Sequence, residues 1–133
     1  MIAAAEPVKI AAKRSARMDE ILRCRDIFGR SVVLTEHRWV THILVDHSEM
    51  RNNLAMVEEA LTDPHVVNYD SDFEHRESYY LLAVAGSSGT RHVKVCVEYR
   101  ESEEEAGYIG HVITAYVTRS LKSNEVLKWT RDS

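Results

Sequence analysis

Three histidines, His37, His42 and His47, recur at five-residue intervals in residues 35–51, TEHRWVTHILVDHSEMR, with Trp39 among them. Imidazole titrates near neutral pH, so these residues could hold a metal or move protons. The spacing speaks against a metal. Five residues advance a helix by about 500°, which sets successive histidines roughly 140° apart and keeps them from converging on one ion without a break. There is no HExxH pair, because Glu36 precedes His37 and no histidine stands four residues on from a partner in that motif. Nor is there a GxxxxGK[ST] or GxGxxG loop to cradle phosphates. Cys96 falls mid-strand, with no sharp turn and no adjacent base to make it a nucleophile. What remains is a metal-free and cofactor-free acid/base site. RNA cleavage by 2′-hydroxyl attack is chemistry of that kind: it needs a base, an acid and cations around one phosphate.

The elements that must position such a site follow from pattern. Ile10, Arg14, Arg17, Met18, Ile21 and Leu22 are spaced for a basic helix over residues 7–24, and we expect residues 1–25 to form a basic helical segment apart from a domain spanning 26–133. Val32, Val33 and Leu34 read as a short strand, with Thr35 as N-cap of the histidine helix. In that helix Val40, Ile43, Leu44 and His47 form the expected buried stripe, with Arg38, His42 and Asp46 on a more polar line. Ser48 can cap a second helix through Met50, Leu54, Val57 and Leu61, which Asp63-Pro64 ends.

After Pro64 the apolar period changes to two. Residues 65–69, 76–84, 92–99 and 111–119 read as strands, with a hairpin turn at 86–89 and an acidic loop at 101–107, and residues 123–129 either add an edge strand or cover the core with Trp129. The expected fold class is α+β, with N-terminal helices packed on one face of a roughly four-stranded antiparallel sheet. The polar faces then bring Lys94, Thr114, Tyr116 and Thr118 onto one surface. Strand 76–84 adds either Arg76, Ser78 and Tyr80 or Glu77 and Tyr79, according to register.

Composition bounds the rest. The chain has 133 residues, 44% hydrophobic and 29% charged, which fits one globular domain. No apolar run approaches the ~18 residues of a membrane span, and residues 1–18 lack the apolar core of a secretory signal, so we expect a cytoplasmic protein away from membranes. Cys24 and Cys96 lie far apart and form no CxxC pair, which speaks against a zinc ribbon or a disulfide framework. A net charge of −4 does not suit bulk gripping of long nucleic acid, so an RNA substrate would need a local basic patch.

Taken together, RWVTHILVDHSEM, LTDPHVV, RESYYLLAV, VKVCVEY and HVITAYVTR resemble the phage-type branch of the barnase, EndoU, colicin-tRNase and RelE-like (BECR) nuclease superfamily. That branch carries a pattern like W-x-H-I-x-x-x-H-P-E-M, a P-x-x-I/V, an R-x-Y-Y strand, a V-V-V strand and an I-T-A-Y strand. Trp39, His42, Ile43, His47, Glu49, Met50, Pro64, Arg76, Tyr79, Tyr80, Val93, Val95, Val97 and residues 113–116 meet it. Ser48 stands where the pattern has proline, and Cys96 where it has an aliphatic residue. The resemblance covers residues 26–119 and implies a metal-independent endoribonuclease acting on RNA or tRNA, toxin-like and held by an antitoxin protein or serving as a phage-conflict effector. Carried over by position, His42, His47, Arg76 and Tyr116 are the catalytic candidates, and Lys94, Thr114 and Tyr80 the substrate-binding ones. The superfamily reuses its fold, so the alternative is a catalytically inactive protein-interaction module.

Overall fold

The computed structural model describes residues 19–86, 89–103 and 107–132. Among them seven strands form one mixed sheet: β1 (Glu20–Arg25), β2 (Ser31–Thr35), β3 (Val66–Tyr69), β4 (Arg76–Ala85), β5 (Arg91–Glu101), β6 (Tyr108–Thr118) and β7 (Val126–Thr130), in the order β1-β2-β6-β5-β4-β3-β7. This overturns the expected four-stranded antiparallel sheet under N-terminal helices. β2 pairs parallel with β6, two further strands flank the central four on the β2 side, and β7 is added beyond β3. Residues 20–25 are strand rather than the end of a helix. Leu22 and Cys24 alternate with Arg23 and Arg25, and pairing with β2 turns that alternation into an inner and an outer row. The rest of the expected basic segment, residues 1–18 with the start of its helix, lies outside the described residues.

Among the described residues helical structure is confined to one connection. Thr35 accepts the Arg38 N–H at 3.1 Å and so caps α1 (Glu36–Arg38), as its sequence position predicts. The chain then passes through a π-helical turn (Trp39–Ile43), α2 (Leu44–Asp46) and a 3-10 turn (Ser48–Met50) into α3 (Leu54–Thr62). The wider π turn changes which residues face inward. Trp39, Ile43 and Met50 are buried, while Val40, expected in the stripe, is half exposed. Indole offers far more apolar area than valine, and the turn that buries it is the one that forms. Val57, Ala60 and Leu61 of α3 complete the core against Val67, Tyr79, Leu81, Val93, Val95, Val97 and Ala115. No helix among the described residues is long and apolar enough to cross a membrane.

Register settles which side chains share a face. Tyr79 lies opposite Val95 and Leu81 opposite Val93, on the helix-covered side, so Arg76, Ser78 and Tyr80 take the other face. A bulge in β6 shifts its inner row from the expected Ile113 to Val112, with Ala115 and Val117 following. At one end of the sheet the β1–β2 hairpin folds over the inner face. Phe28 at its tip meets Trp129 of β7 edge to face at 6.4 Å, although β1 and β7 are the two ends of the sheet order. The sheet is therefore strongly curled, in the sense that strand twist favours.

Candidate functional site

On the outer face the strands set side chains in rows. Arg76, Glu98 and His111 form one, Ser78, Cys96 and Thr114 the next, and Tyr80, Lys94 and Tyr116 the third. The grouping expected for the polar surface is thus the grouping that register produces.

What the sequence did not foretell is what covers that surface. From the end of β6 the chain crosses β5, β4 and β3 to reach β7, and the last residue of the crossing, Glu125, sets its carboxylate on three strands at once. Lys94 Nζ donates to Oε2 at 2.7 Å and Tyr80 OH to Oε1 at 2.5 Å, while Ser78 Oγ and Asn68 Nδ2 each donate at 3.3 Å. The Glu125 side chain is 1% exposed and that of Lys94 8%. A buried charge pair persists only when both members are well hydrogen-bonded, and this one is. Burial pulls the Lys94 ammonium down, but the bond to Glu125 and the neighbouring Tyr80 and Tyr116 outweigh it and hold the group above its ordinary range. Burial, with Glu125 as acceptor, pushes the Tyr80 phenol up, so it stays protonated and donates.

A more open group lies at the edge of β6. β2 pairs with β6 only at Gly110 and His111, and the helical connection packs along the stretch that β2 leaves uncovered. Glu49, just beyond His47, accepts the Val117 N–H on Oε2 at 3.2 Å and so satisfies a strand-edge donor. The same oxygen lies 3.8 Å from His47 Nδ1, and the His47 ring stacks on Tyr116 at 4.8 Å with 25° between planes. Lys94 Nζ lies 5.6 Å from the centre of the same Tyr116 ring, so a cation, an aromatic, an imidazole and a carboxylate follow one another in contact. Beside Glu49 is a cavity of about 460 Å³, also lined by Asn53 and Arg91. Arg91 has no acidic partner among the described residues. His47 is about one-third exposed, which leaves its ring reachable from solvent.

The expected site residues therefore separate. His47, Tyr116, Lys94 and Tyr80 belong to one contiguous set. Thr114 shares their face, opposite Cys96 and half-buried. Arg76 is one row further from Lys94 than Ser78 is; its Nε donates to Glu98 at 3.0 Å and its guanidinium covers Phe73 at 4.0 Å. His42 is exposed on the π turn and touches His37 edge to face at 5.7 Å, not the sheet residues. Burial pushes the Cys24 thiol up to about 11, helped by Glu58 and Asp26, and burial raises Cys96 also, so neither is primed for nucleophilic attack at neutral pH.

Three residues that the sequence reading did not select belong to this arrangement. Glu49 was in the His-helix pattern but carried no role, and only the uncovered edge of β6 supplies one. Arg91 looks like a hairpin flank, and Glu125 like one more acidic loop residue; nothing local in sequence marks a carboxylate that will land on three strands. Comparisons with family models, curated proteins and solved structures found no match for this chain.

Proposed function

We propose that the chain is a metal-independent endoribonuclease of toxin-like type whose proton-transfer group is His47. The observation that supports this most is the His47 imidazole, stacked on Tyr116 at 4.8 Å with the Glu49 carboxylate 3.8 Å from its Nδ1, beside a cavity carrying Arg91. In this reading Arg91 and Asn53 hold a phosphate, and Glu49 orients the imidazole. The 2′-oxygen attacks phosphorus and its proton passes to the imidazole. The P–O5′ bond then breaks and the imidazolium returns the proton to the leaving 5′-oxygen. The products are a 2′,3′-cyclic phosphate and a 5′-hydroxyl. Lys94 contributes positive potential behind Tyr116 rather than a direct phosphate contact, because Glu125 already occupies it. An RNA or tRNA substrate puts the site of action in the cytoplasm, with a protein antitoxin as the natural partner. The test is cleavage of RNA in EDTA, with product ends identified. Cyclic-phosphate ends from the wild type, lost in His47→Gln, support the reading, and intact RNA from the folded wild type ends it.

A second reading has its own support. Lys94, Arg76 and Arg100, three cations of the outer face, are all paired with carboxylates, which suits a catalytically inactive interaction module. Tight binding of a co-encoded protein that is unchanged by His47→Gln, together with intact RNA, favours it.

A further inference from the structure

A second cavity, of about 770 Å³, lies at the opposite end of β6 from Tyr116, lined by Arg25, Arg30, His75, Glu77, Tyr99 and Tyr108. That volume is of the size that holds a small organic ligand. Its floor is a closed charge network. Arg30 Nε donates to Asp26 at 2.8 Å, and its two terminal nitrogens donate to Glu77 at 3.1 and 2.6 Å. The guanidinium lies 3.7 Å from the Tyr99 ring centre, and Lys128 gives Glu77 a further hydrogen bond at 2.9 Å. Two cations thus balance two carboxylates, and the floor is rigid and neutral.

The walls differ from the floor, because they hold groups whose capacity is unspent. Arg25 donates from one nitrogen to Gly29 O at 2.9 Å, and the rest of its N–H fork has no other partner among the described residues. His75 and Tyr108 stack on each other at 5.5 Å with 22° between planes, and both are exposed. His75 sits at φ 64°, a left-handed conformation uncommon outside glycine; its carbonyl accepts the Tyr99 N–H at 2.7 Å, which holds the backbone there while the side chain stays outside the core. Gly29 and Gly107 also line the cavity, both at positive φ, and a Cβ added to either would meet nothing within 4 Å. The walls are bare backbone, one cation and an aromatic pair standing free.

We infer that this cavity binds a nucleotide, its base stacked on the His75–Tyr108 pair and its phosphate on Arg25. Planar bases stack on aromatic side chains largely regardless of sequence, and an arginine fork matches phosphate geometry. The surroundings also fix the orientation. Beyond the His75–Tyr108 pair a smaller cavity of about 360 Å³ is lined by Glu74, Glu98 and Glu101 against Arg100 alone, so an anion is held to the Arg25 side. The site is separate from the His47 group: Tyr108 and Tyr116 are eight residues apart on β6, about 26 Å at ~3.3 Å per residue. It does not depend on cleavage.

The ligand could be a free mononucleotide or one nucleotide of an RNA strand, and calorimetric titration of the full chain separates them. The probes are 5′-AMP, 5′-UMP, a 2′-O-methyl pentanucleotide that cannot be cleaved, and inorganic phosphate. Saturable binding of the mononucleotides assigns the free ligand, and binding of the pentanucleotide alone assigns the strand. In either case Arg25→Ala and Tyr108→Ala each weaken binding at least tenfold, while His47→Gln leaves it unchanged and thermal unfolding confirms that both variants fold. No saturable binding, binding indifferent to both variants, or phosphate binding as tightly as the mononucleotides would overturn the inference.

Discussion

The outer face around Glu125 and the edge of β6 around Glu49 each present a carboxylate to the sheet, yet they differ in what those carboxylates leave over. Glu125 is enclosed and receives four side-chain donors, so Lys94, Tyr80 and Ser78 have little left to offer a substrate. Glu49 is partly exposed, receives one backbone N–H, and sits beside an imidazole and a cavity with an arginine that has no acidic partner among the described residues. A saturated network positions strands, whereas an unsaturated one retains the capacity to bind and to move protons. The contrast reassigns residues that sequence spacing had placed together.

The largest effect is expected on the closed side. Lys94→Met leaves Glu125 buried and unpaired, which costs about 3–5 kcal/mol of unfolding free energy in urea melts, whereas Lys94→Met with Glu125→Leu recovers most of that loss. If the single variant is as stable as the wild type, the network does not brace the sheet. Next comes the open side. Arg91→Ala should lower RNA cleavage by about 10- to 100-fold, the range of a lost charge-assisted phosphate contact, with little change in the urea midpoint.

A smaller, pH-dependent effect belongs to the floor of the second cavity. Burial pushes the Glu77 carboxyl up, but hydrogen bonds from Arg30 and Lys128 outweigh it and hold the group below its ordinary value. A carboxylate with a depressed folded pKa contributes stability that is fully present above its unfolded pKa of about 4.3 and is lost as pH falls through the lower folded value. Denaturation curves between pH 5 and pH 2, values chosen to bracket that range at about 4.3, should therefore show an acid limb that is reduced in Glu77→Gln. The smallest effect is expected at Arg76, where a pair with Glu98, each side chain about one-quarter exposed, is worth about 0–1 kcal/mol. Arg76→Ala should shift unfolding by no more than that and leave cleavage within about twofold.

The legible parts of this molecule are those set by local pattern. Alternation in residues 92–99 fixed Val93, Val95 and Val97 as an inner row, and Thr35 announced its helix. The Lys94, Thr114 and Tyr116 grouping followed because neighbouring strands were antiparallel. Long-range pairing was not legible: β1 could be read as helix because residues 20–25 carry both periods, and the parallel β2–β6 pair depends on a contact across more than seventy residues. Val40 was misplaced because a π turn changes the helical period at Trp39. Glu125 and Arg91 gain their roles only from a crossover and a hairpin, for which side-chain type gives no signal.

In the proposed reaction His47, and not His42, moves the proton. Both histidines lie in the same short stretch, but only His47 contacts Tyr116 and Glu49, while His42 faces solvent beside His37. Cleavage rates of one RNA substrate in EDTA, measured across pH 5–8, a window spanning the ordinary imidazole pKa of about 6.5, for His47→Gln and His42→Gln compare them directly. A loss of about 10²- to 10⁴-fold and a flattened pH profile are expected for His47→Gln, with His42→Gln within about twofold of the wild type. A wild-type rate and pH profile in His47→Gln, with activity lost in His42→Gln, would contradict that role for His47.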